Sequence, residues 1–338
     1  MIVATHQYPL MDRVLHGQPV AEALPRELER AGARRVFVVS NASLAPSPAL
    51  ASVITCLGER FVGVFTGVRA HSPRECVIEG GQQALAARAD LLLAVGGGSV
   101  IDAAKVMLLV MRHGHTEAAQ LDAHAGAPWN TATQRPADHG QWRRLIAVPT
   151  TFSAAEYTAV GGATEMKARA KQAFGNPMMM PLAVINDPAL TRQTPLPLLL
   201  STGMKAVDHA VERITSVQAN LYSDAVSSLA LKLLSSGLPA LRQAPEDLAV
   251  HAQLQYGVFL SMAGIASGVR SNLAHAIAHV MGAYCDVPHG HTSGILLPPV
   301  LRWIGHAVPG RQRMVCEALG VAGDDASAAI GVSSFSVQ

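Results

Sequence analysis

The chain has 338 residues, of which 49% are hydrophobic, 15% charged and 4% aromatic, and its formal net charge is +2. That length exceeds one ordinary core and points to two domains. The apolar content excludes a disordered chain, and a near-neutral balance with no basic run gives no footprint for nucleic acid.

In chain order, the first half alternates helix and strand signals. Helices are predicted near 18–31, 46–57, 73–88 and 100–112. Strands are predicted at RRVFVVSN (34–41), RFVGVFTGV (60–68), DLLLAVGGG (90–98) and RLIAVPTTF (144–152). Fully apolar strands alternating with helices imply a parallel sheet with helices on both faces. The polar stretch 113–143 interrupts this pattern and reads as an excursion over the surface, with His113 and His115 as exposed loop residues rather than ligands. After about residue 155 the strand signal fades to one run, PLAVINDP (181–188), and helical patterns follow at 196–216, 219–236, 246–268, 271–284 and 293–305. The expected division is an α/β nucleotide-binding domain over 1–155 and an all-α catalytic domain over 156–338, with a cleft between them.

Other features bound the setting. The apolar runs DLLLAV and KVMLLVM are far shorter than the roughly 20 residues that span a bilayer. The N-terminus lacks the basic-then-apolar order of a secretory signal. Cys56, Cys76, Cys285 and Cys316 are scattered without a CxxC pair, so a disulfide framework is not expected and a reducing cytoplasm is.

Two clusters carry chemistry. In LLLAVGGGSVIDAAK, a buried strand meets a tight turn at Gly96, Gly97 and Gly98 and then a helix. Glycines let a ligand approach the backbone, and the helix start aims free N–H groups and a positive dipole end at the turn, with Ser99 as N-cap or phosphate donor. The spacing is GGGSxxDxxK rather than GxGxxG, so a pyrophosphate site competes with a plain strand-to-helix turn. At the end of the first apolar run stands Asn41, where nucleotide binders often carry an acid for the adenosine ribose; a neutral residue permits NADP as well as NAD.

The second cluster joins Lys205 and His209, four apart in STGMKAVDHAVE, to His275, His279 and His289 in HAIAHVMGAYCDVPHG. A single histidine is usually a satisfied core or surface residue, but three within fifteen positions favour a functional site. Imidazoles suit zinc or iron. Lys205 stands where a carboxylate ligand would complete the set, and a cation about 4 Å from a divalent ion costs roughly 8 kcal/mol at an effective dielectric near 20. Asp208, beside His209, is expected to point elsewhere on its helix.

GGGSVIDAAK, PTTFSAAEYT, INDPALT, STGMKAVDHAVE and HAIAHVMGAYCDVPHG occur in the order found in iron-containing (group III) alcohol dehydrogenases and the similar maleylacetate reductases, and the chain resembles them from about residue 13 to about 310. The resemblance implies a group III alcohol dehydrogenase architecture, which is dehydroquinate synthase-like, with NAD or NADP in the cleft. It implies Gly96, Gly97, Gly98, Ser99 and Asp102 around the pyrophosphate, and Thr150, Thr151 and Phe152 along the nicotinamide half. The metal-dependent members' ligand positions fall on Lys205, His209, His275 and His289, with His279 as a proton carrier. A divalent iron or zinc ion, if bound, would rest on His209, His275 and His289, and Lys205 disfavours it. Metal-dependent members read GMD and the reductases tend to GMN, where this chain reads GMK. PTTFSAAE resembles the reductases, and HAIAH and PHG resemble the alcohol dehydrogenases. The reductases usually carry a further histidine where this chain has Ser293, with His291 as the nearest substitute.

The expected activity is NAD(P)H-dependent, metal-independent reduction of a carbonyl, or of the conjugated double bond of a maleylacetate-type substrate. Lys205 would replace the metal, and His275 or His279 would donate the proton; Lys171 and Arg270 are further candidates for an anionic substrate. A metal-dependent alcohol dehydrogenase and a catalytically silent homologue are the alternatives, and a sugar-phosphate cyclase ranks below both. The resemblance also implies a homodimer, and a C-terminal domain shortened relative to members that continue with further helices.

Overall fold

The computed structural model describes residues 6–126, 136–168, 170–270, 273–285 and 289–332. The first compact unit comprises Tyr8–Thr150 and Ala155–Gln193. Its sheet has strands β1 (Arg13–His16), β2 (Val36–Asn41), β3 (Phe61–Val68), β4 (Leu91–Gly96), β5 (Arg144–Pro149) and β8 (Ala183–Asn186) in the order β1-β8-β5-β4-β2-β3. Every pairing is parallel.

Side-chain alternation sorts the apolar residues to two faces. Val36, Val38, Leu91, Leu93, Ile146 and Val148 point to one core, which includes Leu24 and Leu28 of α1 (Val20–Arg30) and Leu50 and Val53 of α2 (Pro48–Leu57). Phe37, Val39, Leu92, Ala94 and Leu145 point to the other, with Val77 of α3 (Arg74–Ala86) and Ile101, Met107 and Val110 of α4 (Gly98–His113). With both faces covered, the strands carry near-continuous apolar runs, which is why they were legible. Asp187 uses its carboxylate to cap the short helix α5 (Pro188–Thr191) and to accept the Val20 N–H of α1 at 2.8 Å, which accounts for the INDP motif.

Three expectations change. The four-residue strand β1 is too short to show a pattern. An antiparallel hairpin, β6 (Val160–Glu165) and β7 (Ala170–Gly175), occupies a region where the strand signal had faded. Its sequence VGGATE…AKQAFG has three glycines and no apolar alternation. It forms because α4 packs on it: a Cβ at Gly161 would stand 2.7 Å from the Asp102 carbonyl. The hairpin and β8 therefore belong to the first unit, and the division falls after Gln193 rather than after 155. The described part of residues 113–143 is not one loose excursion. His113 closes α4, a 3-10 helix spans Ala118–His124, and Leu121 is fully buried.

The second unit contains the residues from Thr194 on, joined by Thr151–Ala154. Its helices are α6 (Leu196–Ile214), α7 (Leu221–Gln243), α8 (Leu248–Ala263), α9 (Leu273–Cys285), α10 (His289–Ile304), α11 (Pro309–Leu319) and α12 (Ala326–Val332). Asn220 and Ser223 form a capping box at the start of α7, and Asp247 caps α8. Among the described residues, no helix is long and apolar enough to cross a membrane. Cys56, Cys76 and Cys316 are free thiols.

Lys105, the lysine of GGGSVIDAAK, is fully buried. Its ammonium donates to the carbonyls of Ala155, Thr158 and Val160 and to the Thr158 hydroxyl, tying α4 to the loop that enters β6. Burial lowers its pKa to about 8, against the pull of Asp102 and Glu156. Lys105→Met leaves these buried acceptors without a donor, and denaturant titration should show a loss of about 3 kcal/mol in unfolding free energy.

Candidate functional site

The first unit carries a glycine turn at a switch in strand order. The order of β3, β2, β4, β5 and β8 reverses direction between β2 and β4, and ligands of open parallel sheets bind beyond the carboxyl ends of strands at such a switch point. Those ends are Asn41 and Gly96. Gly96 has φ +157°, and a Cβ there would lie 2.7 Å from Val100. The N-cap of α4 is Gly97, not Ser99, and no side chain caps it, so the first-turn N–H groups face outward for an anion. Gly97, Gly98 and Ser99 are half-buried. These residues fit a pyrophosphate. Asn41 holds a local turn, its Oδ1 accepting from Ser43 Oγ and Leu44 N at 3.0 Å.

The other expected cofactor residues separate. Thr150 continues from β5, its N–H donating to the Gly96 carbonyl at 3.1 Å. The Asp102 carboxylate pairs with Lys171 at 3.1 Å, so one expected pyrophosphate residue and one expected substrate cation satisfy each other. Thr151 and Phe152 belong to the second unit. The Phe152 ring is fully buried, 6.3 Å from the His251 ring, and its N–H donates to the Thr202 hydroxyl. That burial makes Phe152 part of the packing rather than a surface open to a ligand.

The second unit supplies an acid–histidine cluster. Lys205, Asp208, His209 and Glu212 recur at helical spacing on α6, and all but the half-buried Lys205 are buried. Asp208 does not point elsewhere. It is fully buried, accepts from the Ser293 hydroxyl of α10 at 2.9 Å, and its Oδ2 lies 3.9 Å from Nδ1 of His275 on α9. The second oxygen of Asp208 has no hydrogen-bond partner among the described residues. The His209 and His275 rings stand 5.3 Å apart. Glu212 accepts the backbone N–H of His275 at 3.0 Å, satisfying one of the open donors at the start of α9. Arg213, also fully buried, donates to the His209 carbonyl at 2.7 Å.

Burial raises the Asp208 carboxyl to about 7, opposed by the Ser293 hydrogen bond and by the charges of Lys205 and Arg213. It lowers Arg213 to about 10, with Glu212 and Asp208 pulling the other way. The cluster therefore holds a proton that can be released near neutral pH. Lys205, His209 and His275 are brought to one helix face and its neighbour; the side chains of His279 and His289 lie outside the described residues. Glu212 was missed, Asp208 was expected to point elsewhere and Ser293 was noted only as replacing a histidine, although Asp208 and Glu212 stand three and seven positions after Lys205, the spacing that shares its face.

The residues expected to hold the family's divalent ion do not fit it as a set, since the carboxylate position carries the Lys205 ammonium. A different triple, Asp208, Glu212 and His275, does bring one ligand atom each within 4.8 Å of one another.

An all-parallel doubly wound unit with an uncapped glycine turn, joined to a helical unit with a buried acid–histidine cluster, defines a two-unit oxidoreductase architecture. The chain belongs to the iron-containing alcohol dehydrogenase family. The profile for iron-containing alcohol dehydrogenase matches residues 12–188, and that for the family's C-terminal region matches residues 199–335. The chain is 30% identical to maleylacetate reductase 2 of Cupriavidus pinatubonensis, covering 94% of this chain and 78% of the relative. The maleylacetate reductase structure from Agrobacterium tumefaciens superposes with a TM-score of 0.80 at 24% identity, over 98% of this chain and 83% of that one. Sulfoacetaldehyde reductase from Bifidobacterium kashiwanohense, solved with NAD+, superposes with a TM-score of 0.85 at 21% identity, over 98% and 85% of the two chains. Family members are oxidoreductases.

Because its folded-state pKa is raised from 3.8 to about 7, Asp208 keeps a proton that the unfolded chain has released. Its contribution to stability therefore falls as pH rises from about 4 to about 7, by a few kcal/mol at most. The groups facing it are Lys205, His209, Glu212 and Arg213 on α6, His275 on α9 and Ser293 on α10. Denaturant titrations at pH 5 and pH 8 should show a smaller difference for Asp208→Asn than for the wild type.

Proposed function

We propose that the chain is an NAD(P)H-dependent reductase of keto acids or aldehydes, similar to maleylacetate reductase, that works without a metal because Lys205 takes the metal's place. The observation that carries this reading is the ammonium of Lys205 on the same α6 face as Asp208 and His209, where metal-dependent members have an aspartate ligand. The identity to maleylacetate reductases over nearly the whole chain supports an anionic keto-acid substrate.

When bound, NAD(P)H supplies a hydride to the substrate's electrophilic carbon. Whether that carbon is a carbonyl carbon or the far end of a conjugated double bond, negative charge arrives on the carbonyl oxygen. Lys205 is suited to stabilise that oxygen, as an alkoxide in the first case and an enolate in the second. His275 is suited to deliver the proton, its Nδ1 lying 3.9 Å from Asp208 Oδ2. His279 is the second candidate donor.

A second reading has one observation behind it, the convergence of Asp208, Glu212 and His275. An ion held there would make the enzyme metal-dependent. Assays of NADH and NADPH oxidation with keto acids, in EDTA and with added iron or zinc, decide between the two. The proposal expects activity unchanged by EDTA, no stoichiometric metal by elemental analysis, and a kcat/KM about 10²–10³-fold lower in Lys205→Ala. Loss of activity in EDTA with rescue by iron or zinc would favour the second reading. No turnover of any keto acid or aldehyde would favour a silent homologue.

Asn41 at the end of β2 brings no charge against a 2′-phosphate, so both cofactors are accepted. Asn41→Asp keeps the acceptor that holds the Ser43–Leu44 turn. It should lower kcat/KM for NADPH by about tenfold or more while sparing NADH, as measured by parallel cofactor titrations.

A further inference from the structure

A second group of histidines lies in the first unit, where α4 ends. His113 is the last residue of α4, His115 follows the Gly114 cap, and His124 ends the short 3-10 helix Ala118–His124. The chain between them is held by two devices. Glu117 and Gln120 form a capping box at the start of the short helix, and Gln82 of α3 donates to the His115 carbonyl. The Nε2 atoms of His115 and His124 share a hydrogen bond at 2.9 Å, one ring donating and the other accepting, where an ion would take the proton's place, and both residues are half-buried. The His113 ring is 4.5 Å from that of His124 and 5.3 Å from that of His115. It is exposed, so a side-chain rotation can turn one of its nitrogens toward the pair. The sequence leads one to expect exposed loop residues at His113 and His115; His113 is exposed, and the fold brings both together with His124.

The spacing has a chemical meaning. Imidazole nitrogens bind first-row divalent ions at about 2.0–2.1 Å. Two nitrogens 2.9 Å apart then subtend an angle of about 90° at a shared ion, whereas a tetrahedral pair stands about 3.3 Å apart. A right angle is the geometry of tetragonal Cu2+ and Ni2+ sites. We infer that His113, His115 and His124 form a binding site for a divalent transition-metal ion of tetragonal preference, Cu2+ or Ni2+, that fastens the short helix to the end of α4. Burial lowers the pKa of all three imidazoles, and for His113 and His115 mutual repulsion adds to it. Neutral rings are the form that binds metal. Arg112 and Asp138 neighbour the group but pair with each other at 2.8 Å. Since α4 has sixteen residues, this end lies about 24 Å from the glycine turn, and the site stands apart from the proposed reduction.

The test uses tag-free full-length protein, stripped with a chelator and desalted, and titrated with Cu2+ and Ni2+. Calorimetry gives stoichiometry and affinity, and electron paramagnetic resonance reports imidazole nitrogens on Cu2+. The wild type is expected to bind one ion with two or three nitrogen ligands and to gain thermal stability. His115→Ala/His124→Ala should lose that site, with affinity lower by at least about tenfold and the nitrogen couplings gone. His124→Gln keeps a polar side chain against His115 and should show the same loss while melting, metal-free, at the wild-type temperature. Cofactor oxidation should be unchanged in all three proteins. Identical isotherms for wild type and variants, or no binding by the wild type, would overturn the assignment. A site filled only by Zn2+, with the same histidines required, would overturn the tetragonal preference.

Discussion

A parallel sheet buried on both faces is the constraint on which most of this molecule depends. Each strand must return by a crossover, and the helices of those crossovers must cover the sheet, so every strand's carboxyl end faces the same way. The reversal of strand order between β2 and β4 then leaves a gap at that edge, where the Gly96–Gly98 turn and Asn41 come together. The turn is open to an anion because no side chain caps α4. Lys105 and Gly161 hold α4 and the β6–β7 hairpin in close contact. One satisfies carbonyls that would otherwise be buried without donors, and the other gives up a side chain so that the backbones can meet.

The helical unit faces a different constraint. Asp208, His209, Glu212 and Arg213 are all buried on one helix, and buried charges are tolerated only when each finds a partner. The acids find theirs elsewhere, in the Ser293 hydroxyl and the His275 backbone, while Arg213 uses the His209 carbonyl of α6 itself. Lys205 adds a positive charge next to Asp208, and desolvation nevertheless keeps that carboxyl protonated to near neutral pH. Asp208 thus sets an acid about one helical turn beyond Lys205 on the same face.

How much was legible depended on whether a residue's role was written in its own segment. Strands β2, β4, β5 and β8 declared themselves because burial on two faces demands continuous apolar runs; the edge strand β3, with only Phe65 and Val68 buried, did so by its β-branched and aromatic residues. Helices α6 to α10 declared themselves by periodicity, with ends displaced by a few residues. The hairpin β6–β7 did not, since its strands are made by a helix pressing on glycines rather than by apolar alternation. Residues 113–126 read as a loop because their order comes from Leu121 and from histidine pairs closed by the chain's return.

The same division holds for the site. Local sequence determined the nucleotide turn, the helix carrying Lys205 and His209, the helix carrying His275, and membership of an oxidoreductase family, because each is a contiguous motif whose physics acts within about one turn of helix or one strand end. Tertiary structure alone decided that Asp208 faces Ser293 and His275, that Asp102 neutralises Lys171, that Phe152 is packed against His251, and that His115 and His124 meet. Those outcomes depend on which buried polar groups lie opposite one another across packed elements, and desolvation makes such pairings decisive only once the chain has folded.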